Sequence, residues 1–222
     1  MERRGILKAI GGVGTATVAG GAGIITFTDS ASATADTDYG NVTITSDDGT
    51  VEYVAIYGKS TVEWDGFDST ATQFSLDIDG QVAGSGAGWV NLYESGAISL
   101  DDDTWGNYDE SLSGPGTSGT IKTGIGLDEN GDFDPTIDWH VVGSDPDSYA
   151  LPENSIDPSL LEADSDGDTA NFTVDIRATY TWYDSGDNII FEKPFISSVN
   201  VEVNNEPQTA SSSSSSSGAT GE

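Results

Sequence analysis

Asn171-Phe172-Thr173-Val174-Asp175-Ile176-Arg177-Ala178-Thr179-Tyr180-Thr181-Trp182-Tyr183 alternates apolar and polar side chains without a break. Successive side chains of an extended chain point to opposite faces, so Phe172, Val174, Ile176, Ala178, Tyr180 and Trp182 share one face. A long half-buried strand is the reading. Asp184-Ser185-Gly186-Asp187-Asn188 follows as a turn cluster. The run through Phe195, Val199, Val201 and Val203 then pairs back as a hairpin. Pro194 lacks an amide proton and predicts an edge or a bulge there.

The same period extends outward. Strands are expected at Val51–Tyr57, Gln73–Val82, Trp89–Tyr93, Ala97–Leu100, Thr120–Leu127 and Ile137–Val142, separated by Gly, Asp, Ser and Pro clusters. Helical periodicity is nearly absent; only Pro158–Ala163 suits a helical turn, with Asp157 as its cap. Many short strands at regular spacing predict an all-β, antiparallel β-sandwich, jelly-roll or immunoglobulin-like, in one domain over residues 34–207. Residues 208–222, with serine at every position from Ser211 to Ser217, predict a disordered tail.

The first 33 residues carry a different message. Arg3-Arg4-Gly5-Ile6-Leu7-Lys8 precedes a glycine-rich apolar stretch from Ala9 to Phe27, and Ala31-Ser32-Ala33 offers small residues for a signal peptidase. This segment resembles a twin-arginine export signal. The expectation is an exported protein whose mature chain starts near Thr34. About 20 apolar residues would also span a bilayer, but glycine lowers both helix propensity and hydrophobicity. Membrane contact is therefore expected only through an uncleaved signal.

Lys+Arg number 7 against 38 Asp+Glu, a formal net charge of -31. Beyond residue 33 the bases are Lys59, Lys122, Arg177 and Lys193 alone. A surface this acidic repels itself unless concentrated salt screens it. Lysine depletion and the export signal together resemble secreted proteins of extremely halophilic archaea. Nucleic-acid and anionic-lipid partners are excluded, since both need clustered Lys and Arg. The chain has no cysteine, so no disulfide supports the fold.

Candidate chemistry is sparse. Asp128-Glu129-Asn130-Gly131-Asp132-Phe133-Asp134 and Asp164-Ser165-Asp166-Gly167-Asp168 place oxygen side chains at alternate positions around a glycine. Such loops can converge oxygens on calcium; the candidate ligands are Asp128, Asn130, Asp132 and Asp134, and Asp164, Asp166, Asp168 and Asp175. Both depart from the EF-hand spacing, and a solvated turn is the competing reading. No cofactor is required by any motif. His140 is the single histidine, which excludes a zinc site of the usual kind. It lies on a strand face opposite Trp139, and no Gly-x-Ser-x-Gly turn holds a nucleophile. A carboxylate pair for glycoside hydrolysis remains formally open, with nothing to select the pair. Gly114-Pro115-Gly116-Thr117-Ser118-Gly119 fits a phosphate fingerprint in letters only, because a strand rather than a helix follows. Trp105 and Tyr108, in a polar loop, are the candidate platform for a sugar ring, while Trp89, Trp139 and Trp182 are assigned to the core. Asn41-Val42-Thr43 and Asn171-Phe172-Thr173 are glycosylation sequons.

Gly21-Ala22-Gly23 through Thr26-Phe27-Thr28-Asp29-Ser30 resembles the start of the camelysin and biofilm-matrix filament family. That resemblance implies a β-sandwich that polymerises by strand exchange, with a free N-terminal strand completing a neighbour's sheet. The function expected is a non-catalytic structural or adhesion protein at the cell surface or outside the cell, partnered by itself as a homopolymer or by other surface components. The alternatives are a monomeric, calcium-stabilised glycan-binding module and, more weakly, a secreted glycoside hydrolase.

Overall fold

The computed structural model describes residues 31–46, 49–51, 53–56, 58–102, 112–125, 140–143, 154–163 and 165–206. The alternating stretch forms β10 (Thr169–Tyr183), and the turn returns the chain as β11 (Ile189–Asn205). Their ladder sets Phe172 opposite Val201, Val174 opposite Val199 and Trp182 opposite Phe191. The turn is built by Asp184, whose Oδ1 accepts the backbone N–H groups of Gly186 at 2.8 Å and Asn188 at 3.0 Å. Those two bonds, that from Asn188 first, hold the Asp184 carboxyl below its ordinary range.

β10 is the centre of the larger sheet. Its other neighbour is β5 (Gln73–Val82), which spans the residues its alternation predicts. β6 (Val90–Glu94) and the short β7 (Ile98–Ser99) pair with β5. On the far side β2 (Val42–Ser46) pairs with β11 over Val201–Asn205. This β2–β11 ladder is parallel, whereas the others are antiparallel. Pro194 sits opposite Thr179 where β11 has not yet reached β2, so its missing amide proton breaks no ladder on that side. The bulge lies instead between Trp182 and Tyr183.

A second sheet runs β1 (Ser32–Tyr39), β4 (Gly58–Asp65), β8 (Gly119–Ile125). β3 (Tyr53–Ala55) and β9 (His140–Gly143) form a two-stranded ladder. The two larger sheets bury one core. Val62, Trp64 and Ile121 from the second sheet meet Phe74, Tyr180, Trp182, Val199 and Val201 from the first. Trp64 and Trp182 rings lie 6.0 Å apart, and Phe67 closes on Phe191 at 5.0 Å. Tyr180 reaches across the sandwich, its hydroxyl 3.0 Å from Thr123 Oγ1. The protein is thus an all-β, sandwich-like single domain.

The expected helical turn is a 3₁₀ turn at Pro158–Leu161, with Asp157 accepting from Ser159 N at 3.0 Å. Among the described residues, no helix is long and apolar enough to cross a membrane.

Candidate functional site

Two regions combine specific side chains with exposure. The first is the groove that holds β1. Its alternation turns Ala33, Ala35 and Thr37 inward and leaves Ser32, Thr34 and Asp36 exposed. Alanine buries little, so the strand is held by its ladder to β4, by Tyr39 packing on the core at its end, and by a hydroxyl pair in which Thr37 Oγ1 lies 3.1 Å from Ser60 Oγ. Cross-strand register adds charge. Asp38 lies opposite Lys59, while Asp36, opposite Thr61, shares a row with Lys122. Lys59 therefore stands on the strand that receives β1 and Lys122 on the next strand of the same sheet, in a chain otherwise dominated by acid. β1 is an edge strand among the described residues, so the N-terminal strand is docked on its own chain and not free as the sequence reading has it.

The second region is the outer face of the larger sheet. Register puts Asp79 opposite Arg177 and Asn91 opposite Asp79. Arg177 donates from Nε at 3.0 Å and from Nη2 at 2.9 Å to Asp79 Oδ2, and Asn91 Nδ2 donates to Oδ1 at 3.4 Å. The guanidinium also lies 4.4 Å from the Trp89 ring centroid. Trp89 therefore sits half-exposed beneath a cation, not in the core as its sequence position suggests. The arrangement clamps β10, β5 and β6 together. Beside it, Asp77 is opposite Glu94 on β6. Burial, then Glu94, Asp79 and Glu192, raise the Asp77 carboxyl above its ordinary 3.8.

That shift fixes a sign. A raised carboxyl stabilises the folded chain fully only when protonated, below 3.8, and loses that contribution as pH rises through its folded value. At neutral pH the charged form is penalised. Asp77→Asn is therefore expected to stabilise the protein at pH 7 by about 0.5–1 kcal/mol, the scale of a cross-strand like-charge pair. Thermal melts at pH 7 and pH 3 check it. The gain should vanish at the lower pH, and a loss at pH 7 would contradict the assignment.

The remaining candidates are dispersed. Asp175 lies well inside β10, where its Oδ1 accepts from Ser198 Oγ at 2.7 Å. Seven residues of extended chain separate it from Asp168, about 23 Å, so it cannot share a cation with the loop. Asp166 and Asp168 are exposed at the turn before β10. Among the described residues no three His, Asp or Glu side chains gather as a metal cluster. Asp128, Asn130, Asp132, Asp134 and Asp164 lie outside the described residues, as do Trp105, Tyr108 and Trp139. His140 opens β9 opposite Ala55. The glycine-rich Gly114–Gly119 segment is tied down as a turn leading into β8, with Gly116 N–H donating to Ala71 O at 3.0 Å and Ala71 N–H returning to Gly116 O at 2.9 Å. Asn41 and Asn171 are both exposed.

The Arg177–Asp79–Trp89 clamp escaped the sequence reading. Arg177 was visible as a rare base on the outward face of a strand, but its partners lie on other strands whose register only the fold supplies. No family model, curated protein or solved structure matches the chain.

Proposed function

We propose that this chain is an exported, non-catalytic structural or adhesion protein of a halophile's surface, which assembles by exchanging its N-terminal strand between copies. The observation that carries the reading is β1 itself, an edge strand among the described residues whose inward side chains are small up to Tyr39, paired with the strand that carries Lys59 and one strand away from Lys122. An identical strand from a neighbour would reproduce every bond and contact that β1 makes on its own chain. Exchange then costs little beyond association entropy. Processing before Thr34 would leave Thr34–Tyr39 as the docking strand, registered from Glu63 to Gly58.

Sedimentation velocity of residues Thr34–Glu222 in multimolar salt, with calcium and with a chelator, tests this. Large, polydisperse species are expected, collapsing to a single small species when Thr34–Val42 is deleted. Because that deletion also removes part of β2, the double variant Lys59→Glu, Lys122→Glu is the companion; it should reduce assembly while near-ultraviolet circular dichroism stays folded. A single species near monomer mass under every condition would overturn the reading, and a calcium-dependent rise in melting temperature of such a monomer would favour a calcium-stabilised binding module.

A further inference from the structure

The two sequons are far apart in sequence but meet on one strand. Asn41 lies at the two-residue corner where the chain leaves β1 in one sheet and enters β2 in the other. Its Oδ1 accepts the backbone N–H of Asn200 on β11 at 3.2 Å. Across β11, Asn200 is opposite Thr173, and Glu202 is opposite both Asn171 and Thr43. The sequons thus flank β11, with Asn41, Thr43, Asn171 and Thr173 all exposed.

Exposure alike, they differ in what holds the backbone. A transferase must wrap around the Asn, the residue after it and the Thr hydroxyl together, which needs a segment that can leave the surface. Asn171-Phe172-Thr173 is laddered to β11 along its whole length, Thr173 O accepts Ala83 N–H at 2.9 Å, and Phe172 packs on the core. Asn41 is outside any ladder, whereas Asn171 lies in a strand ladder itself. Val42 and Thr43, though paired with Val201 and Glu202, have β11 on one side only and form the start of an edge strand among the described residues. The hydrogen bond from Asn200 engages the Asn41 carbonyl oxygen, and the residue as a whole is exposed.

We propose that Asn41 is an N-glycan attachment site of the folded protein and that Asn171 is not, an inference that rests on export to a compartment where such transfer occurs. The co-reactant is a lipid-linked oligosaccharide phosphate. A bond forms between Asn41 Nδ2 and the sugar's anomeric carbon as the bond from that carbon to the phosphate oxygen breaks. The amide proton passes to a base of the transferase, and the lipid phosphate departs with the electron pair. A sugar there stands at the open flank of β2 and hinders edge-on pairing in the larger sheet. β1, in the other sheet, keeps its outer edge.

The test expresses the full chain, leader included, in an extremely halophilic archaeon and maps glycopeptides of the protein recovered outside the cells by mass spectrometry. Sugar on the Asn41 peptide, none on the Asn171 peptide, and loss of all sugar in Thr43→Ala, which leaves the Asn41–Asn200 bond in place, would support the proposal. Sugar on both sequons overturns selection by the folded geometry. Exported chain with bare Asn41 overturns the site while leaving export standing, and unmodified chain found only inside the cells overturns both.

Discussion

Trp182→Ala is expected to lower the melting temperature by roughly 6–20 °C, the shift that about 3–5 kcal/mol produces in a domain of this size. Trp182 is fully buried and its ring touches Trp64, Phe67, Tyr180 and Phe191, so it joins the two sheets at their centre. Truncation leaves a cavity that the surrounding strands cannot close, because their ladders fix the spacing. Total stability of a domain is on the order of 5–15 kcal/mol, so the loss is a large share of the whole. Trp182→Phe provides the contrast. The indole Nε1 has no hydrogen-bond partner among the described residues, and a buried donor left unpaired costs about 1–3 kcal/mol. Phenylalanine gives up ring volume but removes that cost as well, so its melt should fall much closer to wild type. A calorimetric scan of both variants decides the matter; a Trp182→Ala protein melting within a few degrees of wild type would mean that the sheets do not pack around this ring.

Gly49→Ala is the second large effect, at about 2–5 kcal/mol. Gly49 has φ 78°, where an L side chain costs about 1–2 kcal/mol. A methyl group there would also meet the carbonyl oxygen of Ala163 and come within 2.7 Å of Asn205 Nδ2. Neither can retreat easily. Ala163 N–H donates to Gly49 O at 3.0 Å and Asn205 Nδ2 donates to Ala163 O at 3.4 Å, so the three segments close one end of the sandwich as a unit. Overpacking of that kind adds about 1–3 kcal/mol. Gly84 supplies the control, since its φ of 77° is nearly the same but an added methyl would meet nothing within 4 Å. Urea denaturation should show Gly84→Ala paying only the backbone cost and Gly49→Ala clearly more. Equal midpoints would show that the contact with Ala163 yields.

The elements legible in the sequence are those with large inward residues. β10 declares itself through Val174, Ile176, Tyr180 and Trp182, and β5 through Phe74, Leu76 and Ile78. β2 and β4 leave no readable signal in the sequence, and β1 enters only as the free N-terminal strand that the family resemblance implies. β1 alternates alanine with threonine and aspartate, too weak a contrast to register beside an expected cleavage site. β4 turns Gly58 and Ser60 inward before Val62 and Trp64, so half of its buried face carries no apolar signal. β2 is five residues long, and its partner on β11 lies near the other end of the chain. Site residues fared similarly. The spacing that enlisted Asp175 with the Asp164–Asp168 loop is a loop's spacing, whereas an extended strand carries Asp175 away from it. Asn41 and Asn171 were equally good as letters, and only the ladders separate them.

The parallel pairing of β2 with β11 also imposes a timetable. Val42 aligns with Val201, so β2 has no partner until the ribosome has added almost all of the described chain, roughly 8–30 s later at ordinary elongation rates. β10 and β11, joined by a tight turn, can zip as soon as they emerge, and β5 is already waiting for them. β2 is therefore the last strand to find its place in the larger sheet, whereas β1 can pair with β4 in the other sheet as soon as that strand emerges. The larger sheet thus matures from one flank to the other: the side built on β5 and β6 is ready early, and the side built on β2 stays open until β11 arrives.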